Sequence, residues 1–228
     1  MANATPGGPM RAVIFDADGV LIDSYRAHFE AWQAMGRELG IDLTEDRFAG
    51  TFGMRNEDLM HLLWDDAVPE ADVPRWSDWK EARYREILLA AFPAMDGAVD
   101  LIDALRAAGF RLAVGSSGPP ANVDVCIRGL AREDAFGATV DGAQVTRGKP
   151  EPEVFLKAAE TLGVPPARCA VVEDAVAGVE AARRAEMTAV GLTGTTTRAA
   201  LSARAHLVVD SLRDLSPERI AALIDGRA

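Results

Sequence analysis

The 228-residue sequence predicts an α/β fold: a parallel-sheet core domain interrupted by an inserted all-helical domain. Three observations predict it. Short, wholly apolar, β-branched runs recur along the chain, as in strands buried on both faces. Helical patterns alternate with those runs, which argues for a parallel sheet covered by helices. The stretch from about Tyr25 to Phe92 breaks the alternation. It contains helical patterns only, and it holds all four tryptophans: Trp32, Trp64, Trp76 and Trp79.

The first strand is expected from Met10 to Ile14, ending in Phe15-Asp16. Further strands are expected in "FRLAVGSS" from Phe110, in "RCAVVED" around Cys169, from Met187 to Leu192 and from Ala205 to Val209. Between them, "DGAVDLIDALRAAG", "PEVFLKAAETLG" and "AVAGVEAARRAE" read as helices. The first two end at Gly109 and Gly163, residues suited to the left-handed position after a helix. In the insert, "RAHFEAWQAMGRELG", "MRNEDLMHLLWDD" and "DVPRWSDWKEARYREILLAAF" read as helices, with the tryptophans as their core. The expected organisation is a disordered N-terminus over 1–10, an α/β core over 11–23 and 93–228, and a helical domain over 24–92. A ligand is expected between the two domains, at the C-terminal ends of the strands.

Composition narrows the function. The chain is 49% hydrophobic, enough for a substantial core, and its formal charge is 24 − 35 = −11. That balance is a poor match for nucleic acid or anionic lipid. No run reaches the roughly 18–20 apolar residues of a membrane span, and the N-terminal residues lack the apolar stretch of a secretory signal. A cytoplasmic monomer is expected. Cys126 and Cys169 show no paired or metal-ligand spacing and read as buried thiols. His28, His61 and His206 are too scattered for a histidine zinc site.

The residues just beyond the strands carry the chemistry. Asp16 and Asp18 follow the first strand, Ser116 and Ser117 the second, and Glu173 and Asp174 follow "AVVED". Lys149 lies in the Gly/Pro-rich loop "TRGKPEP". In a parallel sheet these ends share one edge. Acids that would repel one another alone can share a hard cation, and magnesium prefers oxygen ligands. A carboxylate, a cation, a lysine and a hydroxyl around one point suit phosphoryl transfer, in which catalysis is largely charge neutralisation and positioning. A carboxylate can also serve as the nucleophile.

With those residues in place, the sequence resembles the haloacid dehalogenase superfamily, in its β-phosphoglucomutase-like branch. "FDADGVLID", "VGSSG", "GKPEPEVF" and "VVEDAVAGVEAA" resemble that family's four motifs in order. The resemblance implies a Rossmann-like core with the helical insert as its cap domain. It implies Asp16 as nucleophile and Asp18 as general acid and then base, with Ser116 and Lys149 holding phosphoryl oxygens. Mg2+ would be held by Asp16, Asp174, Glu173 and the backbone carbonyl of Asp18. His28 matches a cap-helix histidine near the site. Dehalogenases and phosphonate-cleaving members lack the second motif-one aspartate, so Asp18 favours phosphate esters.

The branch's mutases carry a cap arginine in a "GVSRED"-like loop. Here the loop reads "GMRNED": Asn56 takes that place and Arg55 precedes it. Pro119 stands where those mutases carry a lysine. The expected activity is therefore hydrolysis of a small phosphorylated metabolite, with His28, Arg55, Asn56 and Ser117 as substrate-binding candidates. A phosphosugar mutase and a non-catalytic phospho-ligand binding module on the same fold are the alternatives.

Overall fold

The computed structural model describes residues 10–49, 51, 54–64 and 67–226. All of the expected disordered N-terminus except Met10 lies outside the described residues. The described residues divide into two compact units. One comprises the chain up to Ile22 together with the chain from Ala94 onward; the other is Asp23–Pro93. Each junction falls one residue from the boundary expected from sequence.

The first unit is built on six parallel strands: β1 (Ala12–Phe15), β2 (Arg111–Gly115), β3 (Phe136–Val140), β4 (Cys169–Glu173), β5 (Thr188–Leu192) and β6 (Leu207–Val209). Their order across the sheet is β3-β2-β1-β4-β5-β6. All four residues of β1 and all five of β4 are buried, which is why these segments read as continuous apolar runs. β3 was not anticipated. Its sequence, FGATV, contains a glycine and alternates in burial, because it is an edge strand with one face toward solvent; its pairing with β2 shifts register between Leu112 and Ala113.

Helices α5 (Ala98–Ala107), α6 (Pro120–Gly129), α7 (Glu153–Leu162), α8 (Val176–Arg184), α9 (Arg198–Ser202) and α10 (Pro217–Ile224) belong to this unit. α7 packs on β1, β2 and β3, and α8 on β4 and β5. Alternate residues of β1, Ala12 and Ile14, join Phe155 of α7 and Val179 of α8 in one apolar cluster. Gly109 and Gly163 have φ of 82° and 64°, the left-handed geometry that glycine adopts without steric cost.

The topology positions the site. From β1 the chain adds β2 and then β3 on one side, and afterwards crosses to place β4 on the other side of β1. The direction of winding therefore reverses between β1 and β4. In open α/β sheets the crevice beyond the C-terminal ends at such a reversal is where ligands bind.

The second unit is all-helical: α1 (Tyr25–Glu38), α2 (Glu45–Ala49), α3 (Asn56–Trp64) and α4 (Val73–Ala90). Its core gathers Phe29, Trp32, Met35, Phe48, Leu59, Leu63 and Trp64, with Trp76 and Trp79 packed against it. The tryptophans are thus core residues. Ser24 precedes α1, but its hydroxyl makes no capping hydrogen bond. Among the described residues, no helix is long and apolar enough to cross a membrane.

Candidate active site

β1 ends at Phe15, and the backbone N–H of Asp16 donates to the Val172 carbonyl of β4 at 3.0 Å. That bond extends the ladder by one step and turns the Asp16 carboxylate out over the strand ends. On the neighbouring strand Glu173 is the last residue of β4 and Asp174 follows it directly. Oxygen atoms of Asp16, Glu173 and Asp174 lie within 4.8 Å of one another, and all three residues are buried. Lys149 is brought to them by the loop before α7. Its Nζ donates to Asp16 Oδ1 and to Glu173 Oε1, both at 2.6 Å, and lies 4.9 Å from the Phe155 ring centroid.

Charge explains what this cluster is ready to hold. Three carboxylates and one ammonium sum to −3 + 1 = −2 when all are ionised. Burial pushes the Asp16 carboxyl up to about 7; Lys149 pulls it down, and the charge of Glu173 pushes it further up. Burial, followed by the charges of Glu173 and Asp16, also raises Asp174 well above the usual carboxylate range. Burial pulls the Lys149 ammonium's pKa down, but Asp16 and Glu173 together outweigh it and hold the ammonium charged. A divalent cation balances the remaining charge, and an all-oxygen donor set fits a hard one. The residues present therefore fit a metal ion of the magnesium kind.

Two glycines make the cluster possible. A Cβ on Gly178 of α8 would lie 1.8 Å from Glu173 Oε1, and one on Gly19 would lie 2.0 Å from Asp174 Oδ2. Gly19 also has φ of 74°, a conformation L side chains rarely adopt. Glu173 accepts in addition from the Ala175 N–H at 2.9 Å, and Thr195 acts on the Asp174 carboxyl against the effect of burial.

Asp18 and Ser116 occupy the other flank. Ser116 is buried; its N–H continues the sheet by donating to Val140 at 2.9 Å, and its Oγ accepts from the Gly118 N–H at 3.0 Å. A Cβ placed on Gly118 would lie 3.3 Å from Ser116 Oγ and 3.8 Å from Asp18 Oδ2, so the hydroxyl and the second carboxylate border the same small space. The Asp18 carboxylate is not part of the three-carboxylate cluster. Ser117 is exposed.

The helical unit has a polar cluster of its own. Lys80 Nζ is 2.8 Å from His28 Nδ1 and 2.8 Å from Glu81 Oε1, and it lies over the rings of Trp32 at 5.3 Å and Tyr84 at 5.4 Å. His28 stacks on Tyr84 at 3.9 Å, and Asn56 donates to Glu81 at 2.8 Å. Arg55 is not brought to this group. Its guanidinium is exposed and forks onto Asp58 at 3.0 and 3.1 Å. His61 pairs with Glu70 at the surface.

His28 and Asn56, expected as substrate-binding candidates, sit in this cluster with Lys80, Glu81 and Tyr84, which the sequence did not single out. In the structure Lys80 is buried with Val73, Tyr84 and Leu88 on one stripe of α4, a place that a lysine in a helical pattern does not announce by itself. Thr195 left no signal either, because it meets Asp174 only through the fold.

The open parallel sheet thus gathers carboxylates, a lysine and a hydroxyl at its winding reversal, where ligands of such sheets bind. The profile of the haloacid dehalogenase-like hydrolases matches residues 10–186. A β-phosphoglucomutase of Bacillus subtilis is 33% identical over 190 residues, covering 80% of this chain and 83% of that protein. A phosphorylated carbohydrates phosphatase of Thermotoga maritima is 30% identical over 176 residues, covering 77% and 82%. The crystal structure of a family IA hydrolase from Entamoeba histolytica superposes with a TM-score of 0.86 at 28% identity, over 95% of this chain and 100% of that one. The chain is an enzyme and belongs to the haloacid dehalogenase-like hydrolase family.

Proposed function

We propose that the protein is a magnesium-dependent phosphatase that hydrolyses a small phosphorylated metabolite, a sugar phosphate, through an aspartyl phosphate on Asp16. One observation carries the reading: Lys149 reaches both Asp16 and Glu173 at 2.6 Å beside Asp174, at the winding reversal of the sheet. The sugar-phosphate class is suggested by the phosphorylated carbohydrates phosphatase and the phosphoglucomutase among its relatives.

In this mechanism Asp16 attacks phosphorus and the bond to the ester oxygen breaks. Asp18 gives that oxygen a proton, so the organic part leaves as a neutral alcohol. Asp18 then takes a proton from water as the water attacks the aspartyl phosphate, which releases phosphate and restores Asp16. Lys149 and Ser116 hold phosphoryl oxygens throughout and offset the charge that gathers on them. Mg2+, held by Asp16, Asp174, the Asp18 carbonyl and Glu173, would add charge neutralisation and Lewis-acid polarisation. His28 and Asn56 are the cap residues we assign to the organic part of the substrate. Arg55 and Ser117 receive no role, since both are exposed.

A phosphosugar mutase is the second reading, favoured by the Bacillus subtilis relative. A mutase must hold a bisphosphate at both ends. Asn56 is hydrogen-bonded to Glu81, and Arg55 is neutralised by Asp58, so neither offers a spare cation for a second phosphate. The test is turnover of p-nitrophenyl phosphate and a panel of sugar phosphates with magnesium. Phosphate release is expected, with Asp16→Asn lowering it at least about 10³-fold. Interconversion of hexose 1- and 6-phosphates without phosphate release would support the mutase. No turnover by either form, with phosphate still bound, would support a binding module.

A further inference from the structure

Glu153 makes a set of contacts that the chemistry above leaves unexplained. It is the first residue of α7, yet its carboxylate turns back along the chain. Both carboxylate oxygens accept from the Thr146 N–H at 3.1 Å, and Oε2 accepts from Thr146 Oγ1 at 2.8 Å and from the Arg147 N–H at 3.1 Å. Lys157, one turn further along α7, lies 2.8 Å from Oε1, and its Nζ also donates to the Gln144 carbonyl. The backbone from 144 to 147 is thereby gathered onto the first turn of α7.

Lys149 follows two residues later. Residues 146 to 148 are exposed, yet the Lys149 side chain is only 9% exposed where it meets Asp16 and Glu173. The loop must therefore deliver a long, rotamer-rich side chain from solvent into a buried cluster, and an unrestrained loop would lose entropy in doing so. The same turn of α7 supplies Phe155, whose ring lies beside the Lys149 ammonium. One helix end thus holds both the loop backbone and the lysine tip.

We infer that Glu153 is a positioning residue: its carboxylate clamps Thr146 and Arg147 so that Lys149 reaches Asp16 and Glu173 already ordered. The inference rests on the phosphatase reading only in giving Lys149 the phosphoryl group. Lys157, then the Thr146 and Arg147 donors, hold the Glu153 carboxyl down at about 2, so the clamp is charged at any working pH. A purely structural role, supporting the start of α7, would move stability without moving phosphate affinity.

The experiment titrates inorganic phosphate into the full-length protein by calorimetry, with magnesium affinity measured alongside. Glu153→Gln preserves size but presents an amide to N–H donors. It should weaken phosphate binding about tenfold, the cost of a charge-assisted hydrogen bond, and leave magnesium affinity unchanged. Glu153→Asp, which keeps the charge, should recover most of the loss. Lys157→Met removes the helix ion pair and the Gln144 contact but leaves the Thr146 and Arg147 donors on Glu153, and should bind phosphate like the parent. Unchanged phosphate affinity in Glu153→Gln, or an equal loss in Lys157→Met, overturns the inference. A second readout is independent of ligand: the 15Nζ resonance of Lys149 should be sharp in the parent and in Lys157→Met, and exchange-broadened in Glu153→Gln. A sharp signal in folded Glu153→Gln also overturns it. If the parent hydrolyses no ester, the phosphatase reading fails while this resonance still decides the role of Glu153.

Discussion

Each unit of the molecule buries a lysine, and the two are held in opposite ways. Lys149 in the α/β unit is clamped by Asp16 and Glu173, which are 133 and 24 residues away in sequence. Three chain segments that end at one sheet edge deliver the three groups, so backbone topology places the charges. Lys80 in the helical unit is paired with Glu81, its neighbour on the same helix, and rests on an imidazole and two aromatic faces. Side-chain packing places that charge. The difference in surplus matters more. The carboxylates around Lys149 outnumber it three to one, whereas the Lys80 ammonium pairs with Glu81 at 2.8 Å and rests on aromatic faces. The first cluster is built to take another cation; among the described residues no such group of acids surrounds Lys80.

Removing each lysine gives the largest effect and the clearest division between the units. Lys149→Met and Lys80→Met should each cost stability on the scale of a buried ion pair broken on one side, about 3–5 kcal/mol. Magnesium should repair only the first, because a divalent cation can replace the lost ammonium among Asp16, Glu173 and Asp174. Thermal melts of both variants with and without about 10 mM magnesium, many-fold above the Kd such a site would have, make the comparison. Recovery of both melting points, or of neither, breaks the distinction between the acid-rich cluster and the Lys80 cluster.

A pair of glycines sharpens it at the next level. A Cβ on Gly178 would lie 1.8 Å from Glu173 Oε1, and a Cβ on Gly36 of α1 would lie 2.7 Å from the Ile41 carbonyl. Both substitutions force something to move. In Gly178→Ala the moving group is a carboxylate that holds Lys149, so turnover should fall about 10²-fold, as expected for misplacement of about 1 Å in a catalytic group. In Gly36→Ala the moving group is cap backbone, and the loss should be seen in melting temperature. Kinetics and melting curves of the two variants separate these outcomes. A Gly178→Ala enzyme with parental turnover would show that Glu173 has freedom the geometry denies it.

Much of the α/β unit was legible in the sequence because its signals are local. β1, β2, β4 and β5 are short runs buried over most of their length, β6 is a brief apolar run, and Asp16, Ser116 and Glu173-Asp174 stand directly at strand ends, where a motif marks them. β3 escaped because an edge strand alternates and tolerates glycine, so FGATV has no apolar run to detect. The cap was legible as helices and as a tryptophan core, but its polar cluster was not. Lys80 reads as an ordinary helical lysine until α1 and α4 are packed together. Arg55 and Asn56 are adjacent in sequence, yet only Asn56, the first residue of α3, reaches the cluster, because Arg55 precedes the helix and forks onto Asp58. Glu153 and Thr195 were invisible for a related reason: each acts on a neighbour's geometry, and no spacing rule records that.

Thr195 gives the smallest expected effect. Its hydroxyl lies beside the Asp174 side chain and pulls that carboxyl down, and a Cβ on Gly19 would touch both Asp174 Oδ2 at 2.0 Å and Thr195 Oγ1 at 2.9 Å. One Asp174 oxygen is therefore turned toward the Gly19–Thr195 corner, which fixes the carboxylate's rotation. Partners of this kind typically change metal affinity by about 10–100-fold, and Thr195 is exposed, which puts the expectation at the lower end, about tenfold. Thr195→Val keeps the shape and removes the hydroxyl; Thr195→Ser keeps the hydroxyl. Magnesium titration by calorimetry should show weaker binding in the first and parental binding in the second. Cap cations offer a control, since Arg55→Ala should leave magnesium binding untouched. Equal affinities for Thr195→Val and the parent would mean that Asp174 is oriented by Gly19 and burial alone, and the α/β site would then owe its geometry to backbone topology with no help from loop side chains.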